Sequence, residues 1–272
     1  MPEIIKNMSN RDYHTVDGLS KSKMDKLLIS PEHYKASLCE PEKQTEALIF
    51  GSLFHTIVLE PNKIKTEYAI EPIVNKRTND GKDILRQFYE ENASKTIITQ
   101  EQLDLAIKLK DKIMQHSIAK KLLKTQGDTE ISLFWNDTES GILLKARPDK
   151  LVNDIIIDIK TTNNANPNEF YKNAYKYGYH RQAYHFMKGF ENCYGKKASG
   201  FIFIAIEKDP PYAVCVYKAS DDFIKIGGIE TKYCIEKYAE CEKNNIWQGY
   251  EEKIHELDLP IWIKNKYLEE LE

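Results

Sequence analysis

The sequence predicts an α/β fold, a mixed central sheet flanked by helices, with a helical elaboration toward the N-terminal end. Two observations carry this. Up to about residue 125 the segments read as helices, and from Glu130 the period shortens to runs rich in β-branched and aromatic residues. A capped helix and two further strand-like runs follow, giving the order helices, three strands, helix, two strands, helix. With 272 residues and 41% hydrophobic content the chain is long enough to bury a substantial core.

Taken in order, "LSKSKMDKLLISPEHYKA" offers Ser20 or Ser22 as an N-cap and Pro31 as a stop. "EALIFGSLFHTIVLEP" is apolar nearly all round, as in a helix buried on several sides, and ends before Pro61. "NKRTNDGKD" is polar and reads as a loop, and a lysine-rich helix is expected from about Gln100 to Lys124. "EISLFWND", "GILLKARPD" and "DIIIDIKTT" read as an antiparallel meander. Asn166 as N-cap, Pro167 at the first helical position and Glu169 at the third then start a helix running to about Phe190. "ASGFIFIAIEK" and "YAVCVYKA" are strands, and helix returns through Trp247.

Composition excludes several classes. The net charge of −3 is the difference between 39 basic and 42 acidic residues, so any polyanion site must be a local patch. No run approaches the roughly 18 apolar residues of a membrane span, and the polar start lacks a secretory apolar region, so a cytoplasmic protein is expected. Five cysteines without a CxxC pair read as reduced structural thiols.

The chemistry concentrates in "RPDKLVNDIIIDIKTT". Residues two apart in a strand share a face, so Ile155, Ile157 and Ile159 point one way while Ile156, Asp158 and Lys160 point the other. The same parity groups Lys145, Arg147 and Asp149 on the preceding strand. By alternation alone, Asp158 and Lys160 fit a solvent-facing salt bridge. Asp149 beside Asp158 fits a second reading: two carboxylates repel unless a cation neutralises them, and hard oxygen donors suit Mg²⁺, with Mn²⁺ as substitute. A lysine there can orient or deprotonate a water and balance charge on a phosphate.

Pro148-Asp149, eight intervening residues and Asp158-Ile159-Lys160 resemble the PD-(D/E)xK nuclease signature. The resemblance implies a restriction-endonuclease-like core in which Asp149 and Asp158 bind the metal, the Ile159 carbonyl adds a ligand and Lys160 serves the nucleophilic water. "GSLFHTIVLEP" resembles the helix that supplies a metal-site histidine in RecB-like and RecE-like nucleases, which points to His55; a buried core histidine is the alternative. Gly51, one turn earlier, would let that helix approach a sheet. "YGYHRQAYHF" resembles the helix bearing a catalytic Gln followed four residues on by Tyr: Gln182 matches, Phe186 replaces the Tyr, and Tyr175, Tyr179, Gln182 and Phe186 fall on one helical face. An aromatic packing stripe is the alternative for the tyrosines.

"YHTVDGLSKSKMDKLLISPEHYKA" is similar to the entry segment of RecE-type exonucleases, the exodeoxyribonuclease VIII nuclease domains of phages and prophages, and the resemblance spans roughly Tyr13 to Phe186. It implies one nuclease domain over 1–272, with a mainly helical part at 1–125, a catalytic core at 126–250 and a tail at 251–272. It also implies a Mg²⁺-dependent exonuclease that digests one strand of duplex DNA from the 5′ end, a homo-tetrameric ring, and a RecT-like annealing partner for the 3′ overhang. DNA contact is expected from Lys145 and Arg147, from Lys76 and Arg77, and from the lysine-rich helix. An endonuclease on the same core, and a non-catalytic DNA-end-binding recombination scaffold, are the competing readings.

Overall fold

A computed structural model describes residues 2–39 and 45–267. The chain opens with β1 (Glu3–Ile5), α1 (Asn10–Thr15), α2 (Lys21–Ile29), α3 (Pro31–Cys39) and α4 (Glu46–Leu59). Then come α5 (Ile64–Glu67), β2 (Tyr68–Ile70), α6 (Asn79–Glu91), β3 (Thr96–Ile98), α7 (Gln100–Gln115) and α8 (Ser117–Lys124). Ser20 caps α2 by accepting from the Lys23 amide. Pro31 begins α3 rather than merely stopping α2, because a proline at the first helical position has no amide to satisfy. The expected loop at 75–83 holds only in its first half: Thr78 caps α6 through the Gly81 amide. The expected helix from Gln100 to Lys124 divides at His116, whose Nδ1 accepts from the Ala119 amide and starts a second helix.

The core follows as β4 (Asp128–Thr129), β5 (Ser132–Asn136), β6 (Leu143–Ala146), β7 (Lys150–Val152), β8 (Ile155–Thr162), α9 (Pro167–Lys176), α10 (Tyr179–Tyr194), β9 (Gly200–Glu207), β10 (Val214–Lys218), α11 (Asp221–Asn244) and α12 (Ile261–Lys264). The main sheet has the order β10-β9-β8-β7-β4, with β8 and β9 parallel and the other pairs antiparallel. The expected three-strand meander is therefore two hairpins in different sheets. β5 and β6 join β1 in a separate three-stranded sheet, and β7 and β8 belong to the main one. The chain leaves the first sheet at Arg147-Pro148-Asp149, where proline cannot donate to a ladder. The expected helix from Pro167 to Phe190 is likewise two helices, since Gly178 adopts φ +64° between α9 and α10.

The parity read for β8 holds. Ile157 and Ile159 pack with Leu53, Phe54 and Ile57 of α4 and with Leu109 and Ile113 of α7. Ile156 lies on the opposite face with Ala183 and Phe190 of α10, beside Phe201 and Phe203 of β9. Asp158 shares that second face and is fully buried, so the solvent-facing salt bridge is excluded. Among the described residues no helix is long and apolar enough to cross a membrane.

Two glycines differ in what they permit. A Cβ on Gly227 of α11 would meet the His180 carbonyl oxygen at 2.0 Å, so this glycine sets how closely α11 lies on α10. Gly51 has nothing within 4 Å of the equivalent position, and the close approach to a sheet expected of it is not what it provides. Gly227→Ala should therefore lower unfolding stability by roughly 1–3 kcal/mol. Gly51→Ala should raise it by about 0.5–1 kcal/mol, because only backbone entropy changes. Urea denaturation of both variants checks the contrast, and equal effects would contradict it.

Candidate active site

The site is built where a strand stops short. β7 pairs with β8 only as far as Lys150 opposite Ile157. Carrying that register two residues further would set Pro148 against Ile159, and proline has no amide to offer the Ile159 carbonyl. The backbone of Ile159 on that open edge is satisfied by side chains instead. Its amide donates to Asp149 Oδ2 at 2.7 Å, and its carbonyl accepts from His55 Nε2 at 2.9 Å. His55 Nδ1 lies 3.4 Å from Asp149 Oδ1, so one histidine and one aspartate close a ring around the backbone of a single residue.

Asp158 enters from the adjacent position of β8. Its Oδ1 accepts from Gln182 Nε2 at 2.6 Å. Its Oδ2 lies 2.6 Å from Lys160 Nζ, a charge contact without the directional geometry of a hydrogen bond, and is otherwise unpartnered. Lys160 Nζ also sits 5.0 Å from the ring centre of Tyr179. A 330 Å³ pocket opens beside this cluster, lined by His55, Asp149, Gln182 and Phe186 and, from the N-terminal segment, by Tyr13 and Lys21, with Asp158 and Lys160 outside its lining.

Glu130 completes the cluster and was not among the residues singled out from the sequence. Its carboxylate, one nitrogen of His55 and a carboxylate oxygen of Asp149 all lie within 4.8 Å of one another. It sits at φ +49°, an uncommon conformation for glutamate, and its amide donates to the Asp149 carbonyl at 3.0 Å. The only sequence signal was an acid standing directly before an apolar strand, which by itself reads as a strand flank.

The electrostatics separate the carboxylates. Burial raises Asp149, but His55 and the Ile159 amide outweigh it and hold its carboxyl below the usual range. Asp158 is pushed up to about 6 by burial, which the Lys160 charge only partly offsets. Glu130 is pushed up to about 7 by burial and by Asp149. His55 is raised to about 9: burial opposes its charge, and Asp149 overcomes that. Lys160 is held charged, since Asp158 and Asp149 outweigh its desolvation. It is therefore a fixed positive charge in this arrangement rather than the proton acceptor that the sequence left open.

The donor set fits a hard divalent cation. Asp149, Glu130 and His55 would hold it; Asp158, expected from the sequence as a metal acid, lies outside this group of three and turns its Oδ2 toward Lys160. The Ile159 carbonyl, expected as a ligand, is engaged by His55.

The expected DNA-contacting cations are placed elsewhere or otherwise occupied. Lys145 is buried and donates to the carbonyls of Tyr13 at 2.8 Å and Val16 at 2.7 Å, its charge disfavoured by burial to a value of about 8. Arg147 reaches Glu130 at 2.9 Å and the Met8 carbonyl at 2.9 Å. Both clamp the N-terminal segment against the pocket, because β6 ends at Ala146 and the strand parity assumed for Arg147 and Asp149 ends with it. Lys76 pairs with Glu71, Arg77 is exposed in the turn before α6, and neither lines the pocket. Tyr175 lies on α9, on the other side of the Gly178 break from Tyr179, Gln182 and Phe186, so the single aromatic face does not form.

The sequence profile of the PDDEXK-like domain of unknown function (DUF3799) matches residues 20–260. The chain belongs to this PDDEXK-like family. Among curated proteins none matches it in sequence. Among solved structures, the "Putative exonuclease" of Eubacterium rectale is 12% identical, with 96% of this chain and 98% of that chain covered at a TM-score of 0.63, and it shares the fold. An alkaline exonuclease from Laribacter hongkongensis is 17% identical over 62% of this chain and 85% of that one, at a TM-score of 0.32.

Because a ligating imidazole must be unprotonated, metal binding should release protons. His55 carries its proton below about 9 and Glu130 below about 7, so affinity for Mn²⁺ should climb as pH rises from 6 to 8.5. Calorimetry in buffers of different ionisation enthalpy measures the release, and His55→Ala should reduce it. A flat pH dependence without proton release would contradict the ligand set.

Proposed function

We propose that this chain is a metal-dependent DNA nuclease that hydrolyses phosphodiester bonds in this pocket. The observation that carries the reading is Lys160, a half-buried cation 2.6 Å from Asp158 and near a cluster of three metal-type donors. Two acids that disfavour one another's charge are a poor way to stabilise a fold and a good way to hold a divalent ion. The ion, when bound, supplies Lewis-acid stabilisation to the oxygens of the scissile phosphate.

The chain's own groups divide the remaining work. Gln182 fixes the Asp158 carboxylate through Oδ1 and leaves Oδ2 toward Lys160. Lys160 opposes the negative charge that grows on a phosphate under attack and orients the water beside it. His55 and the Ile159 amide hold Asp149 in place. Phe186, where related nucleases carry a tyrosine, gives the pocket an apolar wall with no hydroxyl.

The finer reading rests on the resemblance of Tyr13 to Phe186 to RecE-type nucleases. On that reading the chain is a single catalytic domain that digests duplex ends 5′ to 3′ with Mg²⁺, leaves 3′ overhangs for an annealing partner, and works as a cytoplasmic tetramer in phage-type recombination. The N-terminal segment clamped by Lys145 and Arg147 walls one side of the pocket, which suits a substrate entering by its end.

Linear duplexes labelled separately at each 5′ and 3′ end, digested with Mg²⁺ and with chelator, test this directly. The expected result is metal-dependent release from 5′ ends with closed circular duplex left intact. Cleavage of the circle would favour an endonuclease. Asp158→Ala should abolish cleavage and retain the fold. Lys160→Ala should keep metal and DNA affinity while losing turnover by about 10²-fold or more. Lys160→Arg should rescue poorly, since the planar guanidinium does not match the ammonium's space between Asp158 and Tyr179. Near-normal turnover in Lys160→Ala would remove the assignment.

A further inference from the structure

A second cavity, of about 560 Å³, opens between α9, β10 and α11. Its walls are mainly rings. Phe170 and Tyr217 stack at 4.4 Å with an interplanar angle of 9°, Tyr175 stacks on His180 at 5.4 Å and 15°, and Phe223 meets His180 edge-on at 5.7 Å. Two of the lining tyrosines are not explained by core packing, since Tyr171 is 61% and Tyr175 67% exposed.

The cavity also holds an unmet polar demand. His180 is 1% exposed, and its Nε2 lies 2.8 Å from Glu230 Oε2. A carboxylate only accepts, so Nε2 carries a proton toward Glu230, which leaves the second ring nitrogen, Nδ1, to find its own partner. Among the described residues that Nδ1 is buried with no hydrogen-bond partner. A buried polar nitrogen left unpaired is unfavourable, and a ligand with a hydrogen-bonding edge relieves it.

The cavity adjoins the catalytic side of the sheet. Phe203, which lines it, pairs with Asp158 in the β8–β9 ladder. The same ring stacks on Tyr179 at 5.6 Å, and Lys160 Nζ lies 5.0 Å from the Tyr179 centroid. Two rings therefore separate this cavity from the lysine of the active site.

From the flat apolar walls, the unpaired buried nitrogen of His180 and this adjacency, we infer that the cavity binds an unstacked nucleobase of a single strand. The base stacks among the aromatic side chains and hydrogen-bonds His180 Nδ1 through its polar edge. The chemistry selects against the other candidates. A bare phosphate has no face to stack on the rings, and an aliphatic ligand would leave the buried nitrogen unpaired. The inference rests on the nuclease reading, because the strand is the one that the neighbouring site handles. It names a place for a base of that strand beyond the bond being cut.

The test uses the full chain in chelator, so that binding is read without cleavage and independently of whether the protein is a nuclease. Deoxyadenosine, which has no phosphate to occupy the catalytic pocket, and a short single-stranded deoxyadenosine oligonucleotide are titrated by ligand-observed NMR and fluorescence anisotropy. Both should bind, and Tyr175→Ala and His180→Gln should each weaken both by about tenfold, the range for loss of one base-stacking partner. Tyr175 is exposed, so its variant keeps the fold should His180→Gln not. Unchanged affinities in Tyr175→Ala would overturn the proposal. So would binding of the nucleoside without the oligonucleotide, or tighter binding of N-acetyltryptophanamide, which would mark the cavity as a peptide site. Normal cleavage without base binding would remove this inference and leave the nuclease reading standing.

Discussion

Everything in the pocket depends on one unpaired stretch of strand edge. β7 is three residues long, and beyond it β8 continues through Asp158, Ile159 and Lys160 with β9 on one side only. An exposed edge of this kind must satisfy its backbone groups, and here the Ile159 peptide does so through Asp149 and His55. The requirement for buried hydrogen bonds thereby positions a carboxylate from one loop and an imidazole from a distant helix. α4 is anchored by its apolar residues on the opposite face of the sheet, and its histidine reaches round to the edge.

The same dry surroundings set the charges. Asp149, bonded to a backbone amide and flanked by His55, stays ionised easily, while Asp158 is pushed up because burial outweighs its lysine. Neighbouring carboxyls whose environments push their pKa values apart are a pattern of working sites. Glu130 and His55 are shifted by the same crowding, so the cluster is strained as a piece of structure and coherent as a cation site.

The acids and the lysine were legible because they sit in a short signature with fixed strand parity, and Gln182 because its helix carries a recognisable pattern. What was not legible depended on where strands and helices end. Lys145 and Arg147 were assigned to one strand face, yet the strand breaks after Ala146 and both cations turn to hold the N-terminal segment. Gly178 was visible in "YGYH" but its positive φ was not, so Tyr175 was placed on the wrong helix. Glu130 joins the site through a backbone bond to Asp149, a long-range contact that no local pattern encodes.

The clamp on the N-terminal segment has a consequence for how the molecule is made. Tyr13 and Val16 are held by Lys145, Met8 by Arg147, and β1 by β5, contacts that span more than a hundred residues. One wall of the pocket thus leaves the ribosome first and waits for its partners, and the opposite wall arrives only with Gln182. A nascent chain holds no assembled centre until Gln182 has been synthesised. A hydrolase built this way is inert while the long span from Tyr13 to Gln182 is being translated.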